Sequence, residues 1–232
     1  MRRIVLLCIG TGLVCAAAAG ALTGEEIAKK AHDVLRGQDD NYDDYTVDFT
    51  QVTTDKGGEE MGRAKCKMYF KQPDKMHVDV LEYYEGGKKK DPPEQKDDDD
   101  GKFEIKLPLD EDCFGDYRFT YKATEEVSGK ECYRVAYNST KKTDGYLHGS
   151  IWVTADGFKL VKGTGEPYVQ PEHCSESSMT MYFSDYGGRI MARKVVMYAK
   201  ATFLLFINKD IYITTTYTGY KFNQGIPDSK FD

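Results

Sequence analysis

The alternation running through residues 45–80 constrains this chain more than any other stretch. Tyr45, Val47 and Phe49 alternate with Thr46, Asp48 and Thr50, the two-residue period of a strand with one buried face. Thr54-Asp55-Lys56-Gly57-Gly58 supplies a turn, because glycine reaches positive φ without a Cβ clash. Ala64, Cys66, Met68 and Phe70 then fall on one side of a second strand, with Arg63, Lys65 and Lys67 on the other. That strand stops at Gln72-Pro73, since proline has no N–H to give a sheet ladder. A third strand, Met76-His77-Val78-Asp79-Val80, follows directly.

From Tyr117 onward the same grammar repeats. Strands are expected over residues 117–125, 132–138, 149–154 and 158–162, with a hairpin at Ala155-Asp156-Gly157. Met179, Met181 and Phe183 alternate with Thr180, Tyr182 and Ser184, and residues 189–207 and 211–222 are expected to pair through Asn208-Lys209-Asp210. Successive strands joined by tight turns make an antiparallel meander with one buried and one wet face. The one helix in the pattern comes first. Thr23-Gly24-Glu25-Glu26 is a capping box, and Ile27, Ala31, Val34 and Leu35 share a face. It predicts a helix from about Gly24 to Arg36, ended by Gly37, that must dock on something apolar.

Residues 1–21 read as an export signal: Arg2-Arg3, an apolar stretch from Ile4 to Val14, and Ala19-Gly20-Ala21 as a small-x-small cleavage site. Residues 22–232 remain as one β-rich unit of an exported chain. Lipidation at Cys15 is the alternative, disfavoured by bulky Val14 where a small residue is expected. No later apolar run approaches the roughly 20 residues of a spanning helix. Of six cysteines, Cys66, Cys113, Cys132 and Cys174 follow the signal. An even number in an exported chain predicts two disulfides, and the expected pairing of the three possible is Cys113 with Cys132 and Cys66 with Cys174. The balance of 38 acidic against 32 basic residues offers no footing for nucleic acid. Between residues 86 and 106, Lys88-Lys89-Lys90 and Asp97-Asp98-Asp99-Asp100 flank Pro92-Pro93 with almost nothing apolar. Such a segment predicts a mobile charged loop, and it lacks the alternating Asp and Gly of an EF-hand calcium loop.

No catalytic signature is present: no Gly-x-Ser-x-Gly elbow, no His-Glu-x-x-His helix, no phosphate loop. His32, His77, His148 and His173 are scattered, and no metal or cofactor is called for. The chemistry on offer is apolar surface. Phe49, Met68, Phe70, Met76, Val78, Trp152, Met179, Met181, Phe183, Met197 and Phe203 are the candidates for lining a cavity, with methionine suited by its adaptable shape. At strand period the same residues fill an ordinary core equally well, and spacing alone does not separate the two.

The run Phe-Thr-Gln (49–51), then Gly-Arg-Ala-Lys-Cys-Lys-Met-Tyr-Phe-Lys-Gln-Pro-Asp-Lys-Met (62–76), resembles the opening of the outer-membrane lipoprotein-sorting, or LolA-like, family. Ile151-Trp152-Val153 before the Asp-Gly turn, and the close Tyr220-Lys221-Phe222-Asn223-Gln224-Gly225-Ile226-Pro227, are similar to it as well. The resemblance implies an α+β, mainly antiparallel fold: an incompletely closed β-barrel whose N-terminal helix covers an apolar concave face. It implies a non-enzymatic periplasmic carrier of lipoprotein acyl chains or related lipids. Such a carrier works with an inner-membrane exporter and an outer-membrane acceptor and touches membranes only transiently. Relatives of this fold also serve as sensors or as adaptors that bind a protein partner. One departure stands out. Gln72 occupies the place before the proline where the family commonly carries an arginine that holds the lid closed, so gating or cargo is expected to differ.

Overall fold

The computed structural model describes residues 22–39, 41–92, 105–203 and 207–231. The expected leader, most of the acidic loop and the side chain of Phe203 lie outside them. The chain opens with helix α1 (Gly24–Asp39) and continues as β1 (Asp44–Asp55), β2 (Glu60–Lys71), β3 (Lys75–Glu85) and β4 (Lys88–Lys90). After a 3-10 turn at Phe114–Asp116 come β5 (Tyr117–Val127), β6 (Lys130–Ser139), β7 (Leu147–Thr154), β8 (Leu160–Pro167), β9 (Cys174–Asp185), β10 (Ile190–Phe203) and β11 (Ile207–Phe222).

All eleven strands form one sheet in the order β4-β3-β2-β1-β11-β10-β9-β8-β7-β6-β5. Two meanders, β1–β4 and β5–β11, are sewn together where the first long strand pairs with the last, Phe49 opposite Tyr217 and Gln51 opposite Thr215. The ends of the order, β4 and β5, do not pair with each other, so the sheet curves without closing. Antiparallel partners share a face. The rows therefore carry one face from strand to strand: Val135, Ile151, Gly163, Met181, Val195, Thr215, Gln51 and Ala64 lie in a single file.

Helix α1 packs on that face against β5 and β6. Its capping box is formed: Glu26 N donates to Thr23 Oγ1 (3.2 Å), and Thr23 N donates to Glu26 Oε2 (2.8 Å). Ile27, Ala28 and Ala31 are fully buried against Phe119, Val135, Tyr137 and Ile151, where burying each large apolar side chain is worth roughly 1.5–3 kcal/mol. At its start Gly24 lies on the backbone of Thr120 and Tyr121, and Phe119 N donates to Glu25 Oε1 (2.9 Å). The helix thus covers the free edge of β5, the position where an exposed strand would invite pairing with another chain.

Several local expectations are corrected. The helix runs past Gly37, because the Gln38 side chain makes two hydrogen bonds to the Ile190 backbone (2.6 and 3.2 Å) and holds the last turn on β10. Lys88–Lys90 is a strand rather than part of a loop, since Gly86 and Gly87 at φ 55° and 75° make a hairpin with β3. Asn208, Lys209 and Asp210 are not a turn: they lie within β11, opposite Thr202, Ala201 and Lys200.

The four cysteines after residue 21 are free thiols, not the two expected disulfides. Cys113 lies in the core beneath α1, whereas Cys132 sits on the opposite face of the sheet with Trp152 and Val161. Cys66 on β2 and Cys174 on β9 are four strand spacings apart, about 19 Å along the sheet, far beyond the roughly 4.4–6.8 Å that a disulfide spans between Cα atoms.

A candidate ligand-binding recess

The segment from residue 105 to 116 completes what α1 begins. Lys106 N donates to Gly145 O (3.0 Å), and the buried Tyr117 hydroxyl donates to Lys106 O (2.5 Å) while accepting from Leu147 N (3.3 Å). Tyr146 and Lys141 both donate to Asp116 (2.6 and 2.8 Å), and these bonds hold the Asp116 carboxyl below the usual range. So anchored, Leu107, Pro108 and Leu109 face the last turns of α1 across a recess of about 280 Å³. The sheet supplies its floor through Tyr137, Ile151, Leu160, Gly163, Met181 and Phe183.

Its chemistry is apolar within and polar at the mouth. His32 Nδ1 donates to Leu109 O (2.8 Å), and the ring stacks on Phe114 at 4.5 Å. Arg36 and Glu111, both exposed, pair at 2.7 Å across the mouth. On the floor the Tyr137 hydroxyl donates to Thr164 O (2.8 Å), and burial pushes its pKa well above the ordinary tyrosine value. Space in the floor comes from one missing side chain, at Gly163. Gly149, Gly163 and Gly165 share the concave face of β7 and β8, and a Cβ on Gly163 would meet only Met181 Cε, at 3.6 Å.

The face does not end where the helix does. Met68, Phe70, Val78, Met179 and Met197 are half-buried and continue it over β9–β11 and β1–β3. Tyr45 stacks on Phe70 at 5.0 Å and meets Tyr220 and Phe222, an aromatic group at one end of these strands. Burial raises the pKa of both Tyr45 and Tyr220, so their hydroxyls stay neutral.

Of the residues singled out from the sequence, Met181 and Phe183 line the recess beneath α1. Phe49 and Val78 line a second one on β1–β3. Met197 lies on the same face between them and Met68 on that face beside the second, Met179 packs against the core, and Phe70 joins the aromatic group. Met76, opposite Phe70, is 64% exposed at the strand end. Trp152 is on the other face: it pairs with Arg134 and Lys162, its Nε1 donates to Glu125, and the Lys162 ammonium lies 4.4 Å above its ring. Sequence reasoning missed Leu107, Pro108, Leu109 and the helix residues His32 and Arg36. The apolar run Leu107-Pro108-Leu109, placed just after a charged stretch, was the available signal.

The histidines stand apart: His32 at the recess, His77 bonded to Asp79 (3.0 Å), His148 against Tyr168, and His173 exposed. Among the described residues no three His, Cys, Asp or Glu side chains gather in a way that could hold a metal ion, and no helix is long and apolar enough to cross a membrane.

No family model matches the sequence, and neither does any curated protein. Solved structures do match. A DUF1329 family protein from Desulfovibrio piger superposes with a TM-score of 0.54 at 10% identity, over 88% of this chain and 97% of that one. A LolA superfamily protein from Nitrosomonas europaea is similar at 14% identity and a TM-score of 0.48, over 91% and 98%. An outer membrane lipoprotein-sorting protein domain from Vibrio parahaemolyticus is similar at 13% and 0.45, over 88% and 97%. The chain shares the fold of the DUF1329 family protein. A single N-terminal helix on an unclosed antiparallel sheet is the architecture that the sequence resemblance implied, and identities of 10–14% speak to fold alone.

Proposed function

We propose that this protein is a periplasmic carrier, exported by a cleaved leader, that takes acyl chains of lipoproteins or related lipids from an inner-membrane exporter and delivers them towards an outer-membrane acceptor. The observation that carries the reading is the concave face itself: an uncharged file of side chains, apolar from Val135 to Val195 and polar only at Thr215 and Gln51, roofed by α1 over β5 and β6. Each buried methylene is worth roughly 0.8 kcal/mol, so such a face can hold acyl chains tightly with no directional chemistry. Release needs only a competing apolar surface, which suits a shuttle.

Mass spectrometry of the protein purified from its export compartment, under native and then denaturing conditions, tests this. A lipid or acylated peptide that leaves on denaturation is the expected result. Met181→Asp, which places a charge on the recess floor, should lower lipid binding at least about tenfold while the fold persists by circular dichroism. An apo mass together with no response to added lipid would remove the carrier reading.

A second reading, an adaptor for a protein partner, is favoured by Met76 and Leu81, which stand 64% and 58% exposed on β3. Met76→Ser with Leu81→Ser separates the two. An adaptor loses its partner in a pull-down, whereas a carrier keeps its lipid.

A further inference from the structure

Two recesses open on the same face of the sheet, and α1 roofs only the first. The second, about 330 Å³, lies on β1–β3 with Phe49, Ala64, Cys66, Val78 and Val80 among its walls and Arg63 as the charged member of its lining. The pairing register joins the two. Met181 in the first faces Val195, Val195 faces Thr215, and Thr215 faces Gln51 in the second. No charged side chain interrupts that row. At about 4.8 Å per strand, Met181 and Gln51 are roughly 14 Å apart along the sheet. An acyl chain spans half of a hydrocarbon core of about 30 Å, so roughly 15 Å. Two chains diverging from a point above Val195 and Thr215 therefore reach both recesses. At about 280 and 330 Å³, the two recesses lie just below and just above the lower bound of roughly 300 Å³ for ligand pockets, which suits one chain apiece rather than two together.

Resting on the carrier reading, we infer that the ligand is a two-chain lipid, with one acyl chain in each recess and its glyceryl backbone above Val195 and Thr215. A one-chain amphiphile fills either recess independently, so the same protein takes two of them.

Titration with a diacyl phosphatidylethanolamine and with its one-chain lyso form, read by native mass spectrometry, tests this. The expected stoichiometries are one diacyl molecule, or two lyso molecules, per chain. Ala64→Phe fills the second recess. It should bind a single lyso molecule and hold the diacyl lipid at least about tenfold more weakly. A wild-type protein that takes only one lyso molecule overturns the two-chain inference while leaving the carrier reading in place. Unaltered diacyl affinity in folded Ala64→Phe overturns it as well. Binding of neither lipid overturns both. The wild-type stoichiometry decides the matter even where the variant does not fold.

Discussion

Gly163 and Met181 face each other across β8 and β9, and a Cβ on Gly163 would stand 3.6 Å from Met181 Cε, an ordinary contact. Its two concave neighbours differ. A Cβ on Gly149 would fall 2.0 Å from Thr164 O, and one on Gly165 would fall 2.7 Å from the Tyr137 hydroxyl. Packing requires the absence of a side chain at Gly149 and Gly165, while at Gly163 that absence leaves open volume.

Gly163→Leu should therefore fill the recess at modest cost to the fold, about 1–3 kcal/mol by the general cost of overpacking, and lower acyl-chain binding at least about tenfold. Thermal melting beside a lipid-binding titration checks it. Equal loss of both properties would mean that Gly163 is structural like its neighbours.

Gly24→Ala tests the docking of the helix. Its Cβ would lie 2.4 Å from Tyr121 N and 2.6 Å from Thr120 C, and backbone atoms cannot swing aside. The start of α1 must lift from β5, which strains the bond from Phe119 N to Glu25 and uncovers an edge. A loss of about 1–3 kcal/mol in urea unfolding should be accompanied by greater aggregation on light scattering.

Acid should weaken the attachment of the C-terminal segment to β3. Asp79 accepts from Lys230 at 2.8 and 2.9 Å. That bond above all, with His77 and Tyr69 assisting against partial burial, holds its carboxyl below the usual range. A folded pKa below the unfolded one of about 3.9 means the contribution is complete above that value and is lost as pH falls through the folded pKa. The group is partly exposed, so at most about 1 kcal/mol is involved. Unfolding free energies at pH 7 and pH 3 should differ less in Asp79→Asn than in the wild type.

Alkylation of the denatured, unreduced protein should modify Cys66, Cys113, Cys132 and Cys174 alike, because all four are free thiols. In the folded protein half-buried Cys174 should react first. Cys113 should react last, since burial foremost, with Asp110 adding, pushes its thiol up to about 11. Peptide mapping over time gives the order, and any pair protected until reduction would contradict it.

Most of the strands were legible because a half-buried strand imposes a two-residue period that survives without any tertiary information. Tyr45, Val47 and Phe49, and Met179, Met181 and Phe183, fell on the faces that their spacing indicated. The capping box at Thr23 and Glu26 is equally local. Trp152 was misassigned for a related reason: Ile151, Trp152 and Val153 are consecutive apolar residues, so period alone does not say which of them points inward. The disulfides failed because an even count of cysteines carries no distances. Cys113 and Cys132 are close in sequence and separated by the thickness of the sheet.

By itself the sequence determined which long segments pleat, and that a capped amphipathic helix precedes them. These depend on forces between residues a few positions apart. Only the tertiary structure decided that β1 pairs with β11, which places Gln51 beside Thr215 and merges two meanders into one face. It also decided that Leu107 to Leu109 return to wall a recess against α1. Such pairings join residues far apart along the chain. They follow from how a twisted sheet buries one face and leaves its edges unjoined, a property of the assembled whole that no local window contains.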